Sequence, residues 1–145
     1  MQYELSNYAK AGFESKHNLL YWQSKAYAAA GLGATAFYNG VRRVNESRLY
    51  PYLQTVEQGN LSVAEEIDLS REEQMSEFVF MGLRLTQGVS KQEFENRFGC
   101  SLEECYAPAI GKSKQRGLLI ENETTITLTP RGRMLGDLVF VEFID

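Results

Sequence analysis

Hydrophobic and polar positions change their grammar near residue 70. From there on, helix starts are marked by Ser followed three residues later by Glu: Ser70-Arg-Glu-Glu73, Ser90-Lys-Gln-Glu93 and Ser101-Leu-Glu-Glu104. In such a capping box the serine hydroxyl and the glutamate carboxylate satisfy backbone N–H groups that the first helical turn leaves without partners. The second box carries a hydrophobic staple, Val89 with Phe94, and in the third Cys100 and Cys105 take the same two staple positions. Met75, Phe78, Val79, Gly82 and Leu85 then fall on one helical face, which predicts a central helix over about 71–85. Gly82 in its middle predicts a close crossing with a neighbour. A short helix over 91–98 should stop at Gly99, and a longer one should run from about 102 to 116.

Beyond Gly117 the period drops to two. Leu118–Glu121 and Thr125–Thr129 alternate around Asn122-Glu-Thr124 and predict a hairpin. Thr129-Pro130 then opens a final helix expected to reach about Phe143. Three helices, a two-stranded wing and a last helix make a winged-helix order. Upstream, Leu49–Gln58 predicts a further helix ended by Gly59-Asn60. Residues 1–46 read as short turns and strands with little to bury by themselves. They should depend on other chain for support, or else be poorly ordered or pair with another copy through exposed strand edges. The fold class expected is α+β.

At 145 residues, 43 % of them hydrophobic, the chain suffices for one ordinary core or a small domain with an arm. There is no run of 18 apolar residues, and the first ten positions do not resemble a secretory signal. Two cysteines are too few for a disulfide framework, so a reducing cytoplasm is the expected setting. The net charge of −4 is uneven: residues 1–50 hold six Lys/Arg against three acids, whereas residues 51–100 hold four against nine. A basic first third suits an acidic ligand, and a globally acidic chain is a poor candidate for wrapping nucleic acid. Lys112, Lys114 and Arg116 end their helix, where the macrodipole favours cations, while Glu103 and Glu104 occupy the end that would face bases. No nucleic-acid partner is expected. A second alternative keeps the winged helix as a nucleic-acid-binding module.

Candidate chemistry is sparse. No Cys-x-x-Cys, phosphate loop, His/Glu metal pair or Ser/His/Asp set occurs, and no catalytic residue is assigned. The only histidine and the only tryptophan lie five residues apart in His17-Asn18-Leu-Leu-Tyr21-Trp22. His17 is open to three readings: a haem or metal ligand, a general base, or a packed imidazole. Axial ligation of haem needs a single histidine, and aromatic neighbours suit a planar macrocycle. Arg42, Arg43 and Arg48 could meet carboxylates. The small-residue run Gly31-Leu32-Gly33-Ala34 allows close approach of backbone to a ligand or to another chain segment.

Several of these stretches together resemble a known family. Tyr3-Glu-Leu-Ser-Asn-Tyr-Ala9, Gly12-Phe-Glu-Ser-Lys-His-Asn-Leu-Leu-Tyr-Trp22, Gly31-Leu-Gly-Ala34 and Gly40-Val-Arg-Arg43 are similar to the C-terminal part of the oxygen-independent coproporphyrinogen III oxidase-like family. So are Gly82-Leu-Arg-Leu-Thr86 and Leu128-Thr-Pro-Arg-Gly-Arg133. These are radical S-adenosylmethionine proteins (the HemN/HemW family), and the resemblance is to the haem-chaperone branch. It implies that residues 1–46 are the last strands and loops of a partial radical-enzyme barrel, and that 47–145 are the C-terminal helical, winged-helix-like domain. It implies a haem site at His17, Asn18, Tyr21 and Trp22, with His17 as the iron ligand, and S-adenosylmethionine near Gly31, Leu32, Gly33 and Ala34. The family's cysteine triad for a four-iron four-sulfur cluster would lie upstream. Cys100 and Cys105 do not match it, so this chain is expected to be a piece of a longer protein and not catalytic alone. The implied partners are the upstream radical domain and acceptor haemoproteins. The alternative task for the parent is oxidative decarboxylation of porphyrinogen propionates.

Overall fold

A computed structural model describes residues 1–144. It divides into two compact units, one made of Met1–Ser24 with the chain from Met75 onward, the other of Lys25–Gln74. The boundary drawn at 46/47 from the sequence therefore falls inside the second unit, just past a β-bulge at Val44/Asn45. Elements in chain order are α1 (Lys16–Trp22), β1 (Thr35–Tyr38), β2 (Val41–Asn45), α2 (Leu49–Glu57), β3 (Val63–Asp68) and α3 (Arg71–Arg84). They continue with β4 (Val89–Ser90), α4 (Lys91–Phe98), α5 (Leu102–Gln115), β5 (Leu119–Glu121), β6 (Thr125–Leu128), α6 (Pro130–Met134) and α7 (Gly136–Phe140), then a 3₁₀ turn, Val141–Phe143. The mixture is α+β, as expected.

The 25–74 unit is a three-stranded antiparallel sheet, in order β1-β2-β3, with α2 between its last two strands. Asn39 and Gly40 both have positive φ (51° and 80°), the backbone of a tight hairpin turn whose twist matches its strands. Support for β1 and β2 comes from β3, a strand the alternation test misses because its Val-Ala-Glu-Glu-Ile-Asp sequence is almost wholly exposed. Helix α2 ends where Gly59 turns left-handed (φ 77°), as Gly59-Asn60 predicts.

The other unit is the winged helix. Its core gathers Phe78, Val79 and Leu83 of α3, Phe94 and Phe98 of α4, Leu102 and Ile110 of α5, Ile126 and Leu128 of β6, and Val139 and Phe143 near the C-terminus. Phe94 touches Phe78, Phe98 and Tyr106, with ring centroids 5.9, 4.9 and 6.1 Å away, so aromatic edges and faces fill the middle of the bundle. Gly82 meets Val89: a methyl there would stand 2.8 Å from Val89 Cγ2, so the close crossing is with a strand. That strand, β4, adds to the predicted hairpin to make a sheet of order β4-β6-β5. Among the described residues no helix is long and apolar enough to cross a membrane.

The three start signals act as expected, with one partial case. Ser70 and Ser101 form reciprocal boxes with Glu73 and Glu104 at 2.8–3.1 Å, and Ser90 accepts from Glu93 N–H at 3.2 Å. Ser101→Ala should cost about 1 kcal/mol of stability, read as a lowered urea midpoint at unchanged slope. Two helices depart from expectation. Helix α5 kinks at Tyr106 (φ −132°, ψ 20°) because Pro108, two residues on, offers no N–H to the preceding turn. The predicted last helix breaks at Leu135 (φ −119°, ψ 33°) into α6 and α7. Gly132 and Gly136 weaken helix propensity there, and the turn delivers Val139, Phe140 and Phe143 to the core.

The basic end of α5 is engaged within the fold. Lys112 and Arg116 pair with Glu142 at 2.6 and 3.0 Å, and Lys114 pairs with Glu121 at 2.6 Å. Lys91 also reaches Glu121, at 2.9 Å. The hydrogen bonds from Lys114 and Lys91 outweigh burial and hold the Glu121 carboxyl below the usual range. These cations tie the helix to the wing and to the C-terminal turn.

Candidate functional site

Residues 15–22 fold locally because Ser15 caps α1, its hydroxyl accepting from Asn18 N–H at 3.3 Å. A helix puts positions four apart on one face. His17 and Tyr21 therefore share one side of α1, and Asn18 and Trp22 share the adjacent side. Burial follows that split: His17 and Tyr21 are exposed, Asn18 and Trp22 half-buried. Large apolar side chains of the same segment, Tyr8, Phe13 and Leu20, are exposed as well.

The inward side is fixed by an ion pair the sequence reading overlooks. The Arg84 guanidinium lies over the Trp22 ring, 4.3 Å from its centroid, and its NH2 group sits 2.7 Å from Glu4 Oε1. Glu4 is completely buried, while Arg84 retains 26 % exposure. The other Glu4 oxygen accepts from Ser6 N–H at 2.9 Å and from the Asn7 amide at 2.7 Å. Burial pushes the Glu4 carboxyl up, but these hydrogen bonds and the Arg84 charge prevail and hold it below its usual value. Backbone bonds complete the anchorage, Leu5 N–H to Arg84 O at 3.0 Å and Thr86 N–H to Tyr3 O at 3.1 Å. The arm of residues 1–24 thus finds within the chain the support that its own sequence lacks.

Tyr21 meets Trp22 edge-on, with centroids 4.9 Å apart and planes at 75°. The half-buried Trp22 thereby packs against the exposed tyrosine, one helical turn from the imidazole. For haem, the residues present fit. An accessible imidazole supplies a donor suited to iron, and an aromatic ring on the same helix face supplies apolar contact. Among the described residues no group of three or more His, Cys, Asp or Glu side chains gathers into a metal cage.

The Gly31–Ala34 run lies in the other unit. Gly31 and Gly33 have positive φ (98° and 62°), which explains glycine at both. Gly31 N–H donates to Tyr52 Oη at 3.2 Å and its carbonyl accepts from Asn45 Nδ2 at 2.9 Å. Space beside Gly31 is open, with no heavy atom within 4 Å of an added Cβ, so backbone remains approachable there. Of the arginines considered for anionic ligands, Arg43 pairs with Glu66 and Arg48 with Glu46, both at 2.8 Å. Hydrogen bonds from the Arg48 side chain and backbone bring the Glu46 carboxyl down to about 2.

Comparison with known proteins agrees with this architecture. The family model of the HemN C-terminal domain matches residues 69–135, the span from the first capping box to the break before α7. The heme chaperone HemW of Bacillus subtilis is 38 % identical over 143 residues, covering 99 % of this chain and 38 % of that protein. HemW of Lactococcus lactis is 37 % identical over 142 residues, 98 % of this chain and 37 % of that one. The chain therefore spans little more than a third of these relatives' length. In fold, it is similar to the radical SAM enzyme coproporphyrinogen III oxidase (HemN) of Escherichia coli, with a TM-score of 0.66 at 19 % identity, over 82 % of this chain and 28 % of that one. Residues 69–135 thus match the HemN C-terminal domain, and the chain is similar over nearly its whole length to proteins named heme chaperone HemW.

Proposed function

We propose that this chain contributes the haem-holding face of a haem-chaperone-like radical S-adenosylmethionine protein, which passes haem to acceptor haemoproteins. The observation that carries the reading is the α1 surface: the chain's single imidazole exposed, Tyr21 one turn away, and the helix clamped from behind by Trp22 and Arg84. The names of the relatives at 37–38 % identity support a chaperone over a decarboxylase. In this reading His17 supplies an axial imidazole, Tyr21 packs on the ring, and Asn18 and Trp22 keep the helix seated. Residues 1–46 extend the radical domain of the longer protein, whose four-iron four-sulfur cluster is held elsewhere, and residues 47–145 form the C-terminal domain. The open backbone at Gly31–Ala34 serves S-adenosylmethionine in that longer protein.

Titration with haemin, followed by the Soret band, tests the site directly. His17→Ala should weaken binding at least tenfold, about 1.4 kcal/mol, and shift the band. Trp22→Phe should leave the ligand field unchanged. Unaltered affinity and spectrum in His17→Ala would remove the imidazole from the site.

A further inference from the structure

The chain's two cysteines play no part in that site, and the fold brings them together. Cys100 follows Gly99, the left-handed stop of α4, and Cys105 stands in the first turns of α5. Between them, the reciprocal Ser101–Glu104 box fixes the backbone of the turn. The Cys105 thiol donates to Cys100 Sγ across 2.9 Å, and both side chains are half-buried against the edge of the core. As a staple they are an unusual choice, since Val89 and Phe94 fill the equivalent positions of α4 with far more apolar surface, nearly all of it buried. Two sulfurs held this close by a rigid turn need little further movement to bond.

We infer that Cys100 and Cys105 are a two-electron oxidation site, closing to an intramolecular disulfide in response to a small disulfide oxidant such as oxidised glutathione. In the first step one cysteine, as thiolate, attacks a glutathione sulfur. The glutathione S–S bond breaks, a mixed disulfide forms, and one glutathione leaves as a thiolate that takes up a proton. The second cysteine, deprotonated in turn, attacks the protein-borne sulfur and displaces the other glutathione. The protein loses two electrons and two protons, and one oxidised glutathione becomes two reduced ones. The second attack is short because the turn already presents the resolving sulfur to its neighbour. The closed bond would lock the first turn of α5 to the stop of α4.

The whole chain, equilibrated in glutathione buffers of rising oxidised fraction and quenched with maleimide, gives the answer by intact mass. Wild type should lose both reactive thiols together, with the mass of two hydrogens gone and no glutathione retained, and dithiothreitol should restore both. Cys105→Ser should instead keep one glutathione on Cys100. Stable glutathione adducts on wild type, or covalent dimers, would overturn the inference. So would two maleimide-reactive thiols persisting in buffers that already modify Cys105→Ser.

Discussion

Gly88→Ala should destabilise the winged-helix unit by roughly 2–5 kcal/mol. Gly88 turns the chain from α3 into β4 with φ at 74°, a conformation that costs a side chain about 1–2 kcal/mol. Space is the larger obstacle. A methyl group there would overlap the Ile126 carbonyl oxygen and stand 2.5 Å from Thr127 Cγ2, both on β6, which cannot yield without breaking its pairing with β4. Gly99→Ala is the matched control. It shares the left-handed backbone (φ 69°) but faces open space, so it should cost only the conformational part. Urea midpoints of the two variants decide the matter: equal losses would mean that β4 does not pack against β6 as described.

Removing Arg84 should cost about 3 kcal/mol, because Arg84→Ala leaves the Glu4 carboxylate buried without its counter-charge and uncovers the Trp22 ring. The only tryptophan reports the loss directly, through its fluorescence in urea titrations. The pH dependence has a definite sign. The folded carboxyl of Glu4 lies below its ordinary value of 4.5, so its contribution is complete above that pH and fades as the solution is acidified through the lower folded value. Glu121 and Glu142 are held low in the same sense, by Lys114 and Lys112 first, so acid weakens several links at once. The difference between wild type and Arg84→Ala isolates Glu4. That difference should be constant from neutral pH to about 5 and shrink below it. A gap that widens in acid would contradict the assignment.

Local signals account for what the sequence tells about the fold. Ser70, Ser90 and Ser101 each act within four residues of themselves, and so do Gly59, Gly99 and Thr129-Pro130, which is why the winged-helix order can be read in advance. Strands β3 and β4 escape because neither alternates. One is an exposed edge and the other is two residues long, so both are defined only by partners. The Asn39-Gly40 dipeptide does carry a hairpin signal, in a stretch read only as turns and strands. At the site, His17 and Tyr21 share a face by spacing alone once Ser15 starts a helix. The anchor is different in kind. Glu4 and Arg84 are 80 positions apart, and nothing near either residue announces the other.

That separation affects the order in which the molecule matures. The arm bearing His17 is synthesised before Arg84, yet its backbone bonds run to Arg84 and Thr86 and its buried acid waits for a guanidinium made later. Closing so long a loop is entropically costly, and contacts of this range come late in folding. The helix that carries the imidazole is therefore fixed only after the central helix has been synthesised and packed, so a chain cut short before Arg84 would hold His17 in no defined place.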